Sequence, residues 1–374
     1  MLRSGRYISF PNYKAFSPSP LPPAPALKLD GPLYQSVTLA NAALHKLASA
    51  AQLLPHIDLL QGIHIRKEAI ANAHMEGIKV SWEDLFEHEE GSTPKNVEGI
   101  QTVVNYMCAL EEGMKQVENG PLDISLVQRT HETLCINALE GNEVGGEFRK
   151  VQNWVGPSGS PLQHALFIPP PPSEIAENFH ALERFWQMEE GLPPLVICAL
   201  NHYQMETVAP FMHKNGSIAR LLTLFYCAWK KIIPHTLLYP SHYFYVHRHE
   251  YHDRLNLVRE QGAYEQWIGF FLRAVIWTAQ SAFELMHRVL KCGWEHRKIL
   301  LKKKISSPLA IGLLDYLAGR PYLSVQEVAD HLQTSYQTGQ TLVAQFVELD
   351  ILREVTGKRR GRRFIYWEYF EELQ

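Results

Sequence analysis

The segment NHYQMETVAPFMHKNGSIARLLTLFY, residues 201–226, carries side chains whose types and spacing suit phosphate chemistry. Its periodicity predicts a long apolar helix ending near Val208, a short loop over Pro210–Lys214, and a second helix opening at Asn215-Gly216. A glycine-containing loop at a helix N-terminus presents backbone N–H groups and the positive end of the helix dipole, which together attract an anion. Arg220 stands one turn into the second helix, within reach of a phosphate. Lys214 adds a positive charge at the loop. Lys214, Asn215, Gly216 and Arg220 are therefore the candidate nucleotide-binding residues. On this local pattern alone, a helical hairpin with a glycine turn is the simpler reading.

Most of the chain supplies helices to hold that loop. Apolar residues recur at three- and four-residue spacing through 34–54, 57–75, 95–117, 123–137, 174–189, 193–208, 216–232, 241–259 and 263–291. Two regions read as strand. One is Val151–Ile168, a hairpin with Pro157, Ser158 and Gly159 at its tip, and the other lies in the last residues. Residues 17–26, SPSPLPPAPA, are too rich in proline for helix or sheet interior. They read either as a flexible linker or as an extended arm lying on the protein, with Phe16 and Leu21 as anchors. The fold class expected is mainly α with small β elements.

Composition excludes several function classes. The 374 residues are 46% hydrophobic and 20% charged, with a net charge of −3. That length suits two or three domains, and that charge confines any nucleic-acid role to a local patch. The five cysteines, Cys108, Cys135, Cys198, Cys227 and Cys292, are scattered and form no CxxC, so they read as reduced core residues and no metal site is expected. His235, His242, His247, His249 and His252 crowd one region without the spacing of an HExxH zinc motif. No stretch approaches the roughly 20 apolar residues of a membrane helix. The first residues lack an apolar signal core, so a cytoplasmic protein is expected, although delivery by a specialised secretion system would leave no such mark.

Wider matches raise the weight of the phosphate reading. Residues 201–220 resemble the Fic signature, in which His-Pro-Phe is followed by an acidic residue, Gly-Asn-Gly-Arg and a second arginine. Pro210, Phe211, Asn215, Gly216 and Arg220 match it, and His202-Tyr203-Gln204 fits the helix before it. GEFRKVQNWVGPSGSPLQHALFIPPPP (146–172) looks like the family's β-hairpin flap and the proline run after it. The segments 239–258 and 264–275 resemble its later helices, and RKEAIANAHMEGI (66–78) resembles its autoinhibitory helix, with Asn72 at the hydroxyl position and Glu76-Gly77 after it. The resemblance implies a helical Fido core with a flap, in four parts: an N-terminal arm and helices over 1–122, including an inhibitory-type helix at 57–76; a core over 123–291 with the flap at 151–168 and the motif at 209–220; a linker at 292–304; and a C-terminal module at 305–374.

The resemblance also implies a chemistry, and the departures fall on it. In Fic enzymes the motif histidine deprotonates a target hydroxyl, which attacks the α-phosphate of ATP. Ala209 stands there, and losing a positioned base costs about 10²–10⁴-fold. The acidic ligand of the magnesium ion corresponds to His213, a poor partner for a hard cation. Lys214 replaces the first glycine and Ser217 the first arginine. ATP with Mg²⁺ is thus the implied cofactor, with its metal position altered. His213 is the candidate surrogate base, four positions from Ala209. In the family the inhibitory glutamate pairs with the second motif arginine, and in some members it orients the water that removes AMP. Glu76 is accordingly expected within hydrogen-bonding distance of Arg220. Three functions follow: a degenerate Fic protein that binds a nucleotide or a partner, a transferase or de-AMPylating enzyme with rearranged residues, or a DNA-binding regulator.

Residues 305–374 have their own pattern. A helix over 308–317, a second over 324–332 with a Ser324–Glu327 capping box, a third over 335–352, and a strand–tip–strand at the end give the order of a winged helix-turn-helix. Lys358, Arg359, Arg360, Arg362 and Arg363 project from the expected wing and suit phosphate or an acidic partner. The expected partners are an unidentified protein target, DNA through this module, or a second copy of the chain, with no membrane contact.

Overall fold

The computed structural model describes residues 3–52, 57–89, 96–137, 144–156, 161–188, 191–233, 237–357 and 361–373. Two short strands open it: β1 (Gly5–Ser9) pairs antiparallel with β2 (Lys14–Pro18), Tyr7 opposite Phe16. Helices follow: α1 (Gly31–Ala51), α2 (Ile57–Met75), α3 (Trp82–Glu89), α4 (Val97–Asn119), α5 (Ile124–Leu134), α6 (Pro172–Trp186), α7 (Pro194–Val208), α8 (Asn215–Trp229), α9 (Pro240–Val246), α10 (Arg248–Gln261) and α11 (Tyr264–Lys302). The C-terminal part comprises α12 (Pro308–Gly319), β3 (Tyr322–Ser324), α13 (Val325–His331), α14 (Tyr336–Glu348), β4 (Leu352–Glu354), β5 (Arg363–Tyr366) and α15 (Trp367–Leu373). The mainly α expectation holds. No described helix is long and apolar enough to cross a membrane.

The chain divides into two units, and neither is continuous in sequence. The first comprises residues 1–48 and 65–279, the second 49–64 and 280–374. In the first, α7 is buried on every side, as its all-round apolar sequence requires, and packs along α8. α4 and α5 cover α8. Asn96 and Asp123 cap α4 and α5 by accepting from Gly99 N (2.9 Å) and Leu126 N (2.8 Å).

The β1–β2 hairpin escaped the sequence reading, whose apolar periodicity starts only at Leu33. The proline arm is packed: Phe16 is fully buried and donates its N–H to Ile168 O at 2.9 Å, and Gln204 holds Ser19 O at 3.0 Å. Leu21, the other expected anchor, is only half-buried.

Among the described residues, the expected hairpin at 151–168 shrinks to one antiparallel bridge, Val155 to Phe167. Pro161 has no N–H for a ladder, and the backbone after it turns on itself instead, with His164 N bonded to Pro161 O and Ala165 N to Leu162 O. The expected tip, Pro157–Gly159, lies outside the described residues, as do His235 and the ends of the periodic runs at 53–54, 95 and 189. The expected linker also changes: residues 292–302 complete the 39-residue helix α11, and only the short stretch to Ser307 is non-helical.

In the second unit the helices and strands occur in the order expected, plus β3 and α15, and the sheet runs β3-β5-β4. Ser307 caps α12, the Ser324–Glu327 capping box opens α13, and Ser335 caps α14.

Candidate functional site

α7 ends at Val208, and Ala209 takes a left-handed conformation, φ 41°, ψ 65°. Lys214, before α8, is left-handed too, at φ 59°. Both positions carry a Cβ where glycine is the relaxed choice. The loop between them is held from inside and outside. Asn215 spends its whole side-chain amide on Phe211, accepting from its N–H at 2.9 Å and donating to its carbonyl at 2.8 Å. Arg149 clamps the other side: its Nε donates to Ala209 O (2.9 Å), its Nη2 to Pro170 O (2.5 Å) and its backbone N–H to Pro210 O (2.9 Å). Burial brings the Arg149 guanidinium down to about 10. Asn153 donates to Phe211 O at 3.0 Å, so the start of the 151–168 segment lies against the loop.

His131, on α5, stacks on Phe211 with ring centroids 3.9 Å apart. It accepts from Gly146 N–H at Nδ1 (2.9 Å) and donates from Nε2 to His213 O (3.2 Å), which fixes one neutral tautomer. Burial lowers its pKa to about 4. His202 behaves alike inside α7, lowered to about 4 by burial, with Thr223 Oγ1 at 2.9 Å and Tyr251 Oη at 2.8 Å.

Glu76 reaches the loop from the end of α2. Gly77, at φ 80°, closes that helix in a Schellman turn, with Ile78 N on Ala73 O and Gly77 N on His74 O, and leaves Glu76 facing α8. Its partners differ from expectation. Glu76 Oε2 pairs with Lys214 Nζ at 2.5 Å, and its Oε1 accepts from Ser217 Oγ. Arg220 Nη2 stands 3.8 Å from Oε1, an ion pair but not a hydrogen bond. The Arg220 Nε instead donates to Asn72 Oδ1 at 2.8 Å. The physical reason is local: Lys214 and Ser217 both lie nearer the carboxylate, and a short charge-assisted bond to an ammonium prevails over a longer one. Arg220 is 3% exposed; burial opposes its charge, but the oxygens of Tyr251, Glu206 and Glu76 outweigh that and raise its pKa. Glu206 stays ionised below the usual range: burial would raise it, and His202, Arg220 and Tyr251 prevail.

The arrangement thus brings Glu76, Lys214, Ser217 and Arg220 together, as the candidate residues require, but turns Lys214 inward to Glu76. Ala209 is buried at 4% exposure and offers only a methyl group. His213 is exposed on the loop. A magnesium ion does not fit this set: position 213 offers an imidazole, the Asn215 oxygen is committed to Phe211, and the Glu76 carboxylate is committed to Lys214 and Ser217. A phosphate fits better, at the amides that precede the first helical bond of α8, made by Ile218 N to Lys214 O.

Sequence reasoning passed over Arg149, His131 and Glu68. Glu68 is fully buried on α2, accepting from Tyr106 Oη (2.9 Å) and Ser241 N (3.0 Å), with burial raising its pKa. A charged or imidazole residue on the apolar face of a helix was the available signal for two of the three. In the C-terminal unit, Arg362 pairs with Glu354 at 3.6 Å and Arg363 with Glu327 at 2.8 Å, so two of the expected wing cations are internally compensated. Lys358, Arg359 and Arg360 lie outside the described residues.

Comparison with known proteins agrees with this geometry. The profile "Fic/DOC family N-terminal" matches residues 34–115, and "Fic/DOC family" matches residues 121–227. Protein adenylyltransferase Fic from Culex quinquefasciatus is 30% identical over 123 residues, 31% of this chain and 21% of that protein. The Drosophila melanogaster protein of the same name is 36% identical over 80 residues, 21% of this chain and 14% of that protein. The matches therefore span about a fifth or less of these relatives' length. Among solved structures, a Fic family protein from Desulfovibrio desulfuricans superposes with a TM-score of 0.58 at 16% identity, covering 91% of this chain and 97% of that one. A Fic-domain signaling protein from Bacteroides thetaiotaomicron gives 0.53 at 18% identity, covering 66% of this chain and 97% of that one.

Proposed function

The chain belongs to the Fic/DOC family, and from that premise we propose that it is a member without AMP transfer by the family's usual route, which keeps the loop as a closed site for a phosphate-bearing ligand. The observation that carries this reading is the double engagement of Glu76 by Lys214 (2.5 Å) and Ser217. Those two residues are departures from the signature, and they meet on one carboxylate. Random decay would leave unpaired substitutions; these form a latch across the anion loop. With Ala209 in place of the base, the latch restrains a site that lacks the means of activating a hydroxyl.

A nucleotide enters this site by displacing Glu76. Its phosphate would take over Lys214 Nζ and the N-terminal amides of α8, with Arg220 held behind by Asn72. The residues do not suit magnesium, and no step is assigned to it. A protein partner has a ready platform on the segment over the loop, where Trp154, Val155 and Leu166 are 40%, 50% and 75% exposed. The C-terminal helices and strands form, on this reading, a winged-helix module that docks the protein to a partner or to nucleic acid.

The test is incubation of the full chain with radiolabelled ATP and magnesium, beside a binding scan of ATP, ADP, GTP and CDP without turnover. The expected outcome is nucleotide binding that strengthens in Glu76→Gly, with no covalent label on the chain or on added protein. Strong labelling by the unmodified protein, abolished by Arg220→Ala, overturns the reading in favour of an enzyme with rearranged residues. Salt-sensitive duplex binding lost on charge reversal at 358–360 supports the nucleic-acid role of the C-terminal module.

A further inference from the structure

The five cysteines read as inert in the sequence, but Cys292 has company in space. Cys292 and His296 lie one turn apart on α11, so their side chains share a face. Glu368, in the first turn of α15, meets them there. One ligand atom from each of the three lies within 4.8 Å of the others. Cys292 Sγ is 3.5 Å from His296 Nδ1, and His296 Nε2 is 3.3 Å from Glu368 Oε2. We propose that Cys292, His296 and Glu368 form a binding site for a zinc-class divalent cation, distinct from the anion loop and outside the residues that the family profiles match.

The chemistry favours zinc over harder ions. A thiolate, an imidazole and a carboxylate are its ordinary protein ligands, whereas magnesium and calcium prefer oxygen alone. Tetrahedral bonds of about 2.0–2.3 Å place ligand atoms roughly 3.3–3.7 Å apart, and His296 Nε2 and Glu368 Oε2 already stand 3.3 Å apart. Glu368 is half-exposed, with a side-chain exposure of 47%, so it has room to adjust and leaves an approach from solvent. His296 is 4% exposed and held in place.

Tyr366 supplies the outer support. Its hydroxyl lies 2.8 Å from His296 Nδ1 and 3.3 Å from Cys292 Sγ. A histidine that binds metal through one nitrogen uses the other to hold a hydrogen-bond partner. Binding therefore puts the metal at Nε2 and the ring proton at Nδ1, where it donates to the Tyr366 oxygen. The thiol proton of Cys292 leaves to solvent, so one proton is released per ion and affinity rises with pH. Three protein ligands leave a fourth position for water. The cation would fasten α15 to the C-terminal part of α11, within the second unit.

The full chain, stripped of metal and kept reduced, is titrated with cobalt(II) as the optical probe and then with zinc. One equivalent of cobalt should give a near-ultraviolet thiolate-to-cobalt band and tetrahedral visible bands, both erased by one equivalent of zinc. Cys292→Ser should abolish the thiolate band. Tyr366→Phe should keep it but weaken affinity about 10–100-fold. Glu368→Gln, at an exposed position where folding is safe, should also weaken binding while keeping the band. Absence of a thiolate band in the unmodified chain, its survival in Cys292→Ser, or unchanged affinity in both Tyr366→Phe and Glu368→Gln overturns the proposal.

Discussion

At residue 209 two effects coincide in one methyl group: a missing base and a strained backbone. The strain is separable. Ala209→Gly removes a Cβ from a left-handed conformation that costs an L-residue roughly 1–2 kcal/mol, against roughly 0.5–1 kcal/mol for the added freedom of glycine. The expected result is a stability unchanged or raised by up to about 1.5 kcal/mol, read from urea unfolding midpoints. The base is not separable. Ala209→His alone should not restore AMP transfer, because a base acts only on a hydroxyl set against a correctly held phosphate, and residues of one catalytic unit contribute little singly. Ala209→His combined with His213→Asp, Lys214→Gly, Ser217→Arg and Glu76→Gly is the set expected to label with ATP; labelling by the single variant would show the loop to be productive already. The sequence revealed each departure but not their meeting. Lys214 and Ser217 read as two separate losses, because a carboxylate 138 and 141 positions away in sequence becomes their partner only through the fold.

Among the elements, the α7–loop–α8 hairpin was the most legible, its ends falling at Val208 and Asn215 as the periodicity and the glycine indicate. The segment over it was less so. Its contacts are side chain to carbonyl rather than strand to strand, and a period-two pattern carries no trace of them. Arg149 is the clearest case, at once the anchor of that segment and of the loop. Arg149→Ala should strand buried carbonyls at Ala209 and Pro170 and cost about 2–4 kcal/mol in thermal or chemical unfolding. Lys at the same position should recover little, since an ammonium cannot span those acceptors as a planar fork does. α5 and α7 add a pH signature. His131 and His202 have native pKa values of about 4, below the unfolded value near 6.5. The unfolded chain takes up protons in that interval and the native chain does not, so this contribution is constant above about pH 6.5 and is lost as pH falls toward 4. Tm measured across that window should drop less steeply in His131→Gln than in the parent protein.

For the molecule as a whole, composition and periodicity were enough for the helical class, but not for where its parts stop. The expected break at 292–304 lies in a helix that runs on to Lys302, and the second unit takes residues 49–64 from far upstream. Periodicity sees the helix but not which neighbours it serves. A fragment of residues 305–374 should accordingly be less stable than one of residues 280–374, which keeps His296 against Tyr366 at 2.8 Å; circular dichroism melts of the two decide this, and equal Tm values would restore the boundary at 304. The interleaving also has a consequence for synthesis. A chain leaves the ribosome from its N-terminus at about 5–20 residues per second. Residues 49–64 must therefore wait, without the rest of their unit, while the whole of 65–279 is made, an interval on the order of ten to forty seconds. The first unit is complete once residue 279 is made, but residues 49–64 inside it still lack their own unit, so the protein's exposure to chaperones and proteases is set by the order of its segments as well as by its final stability.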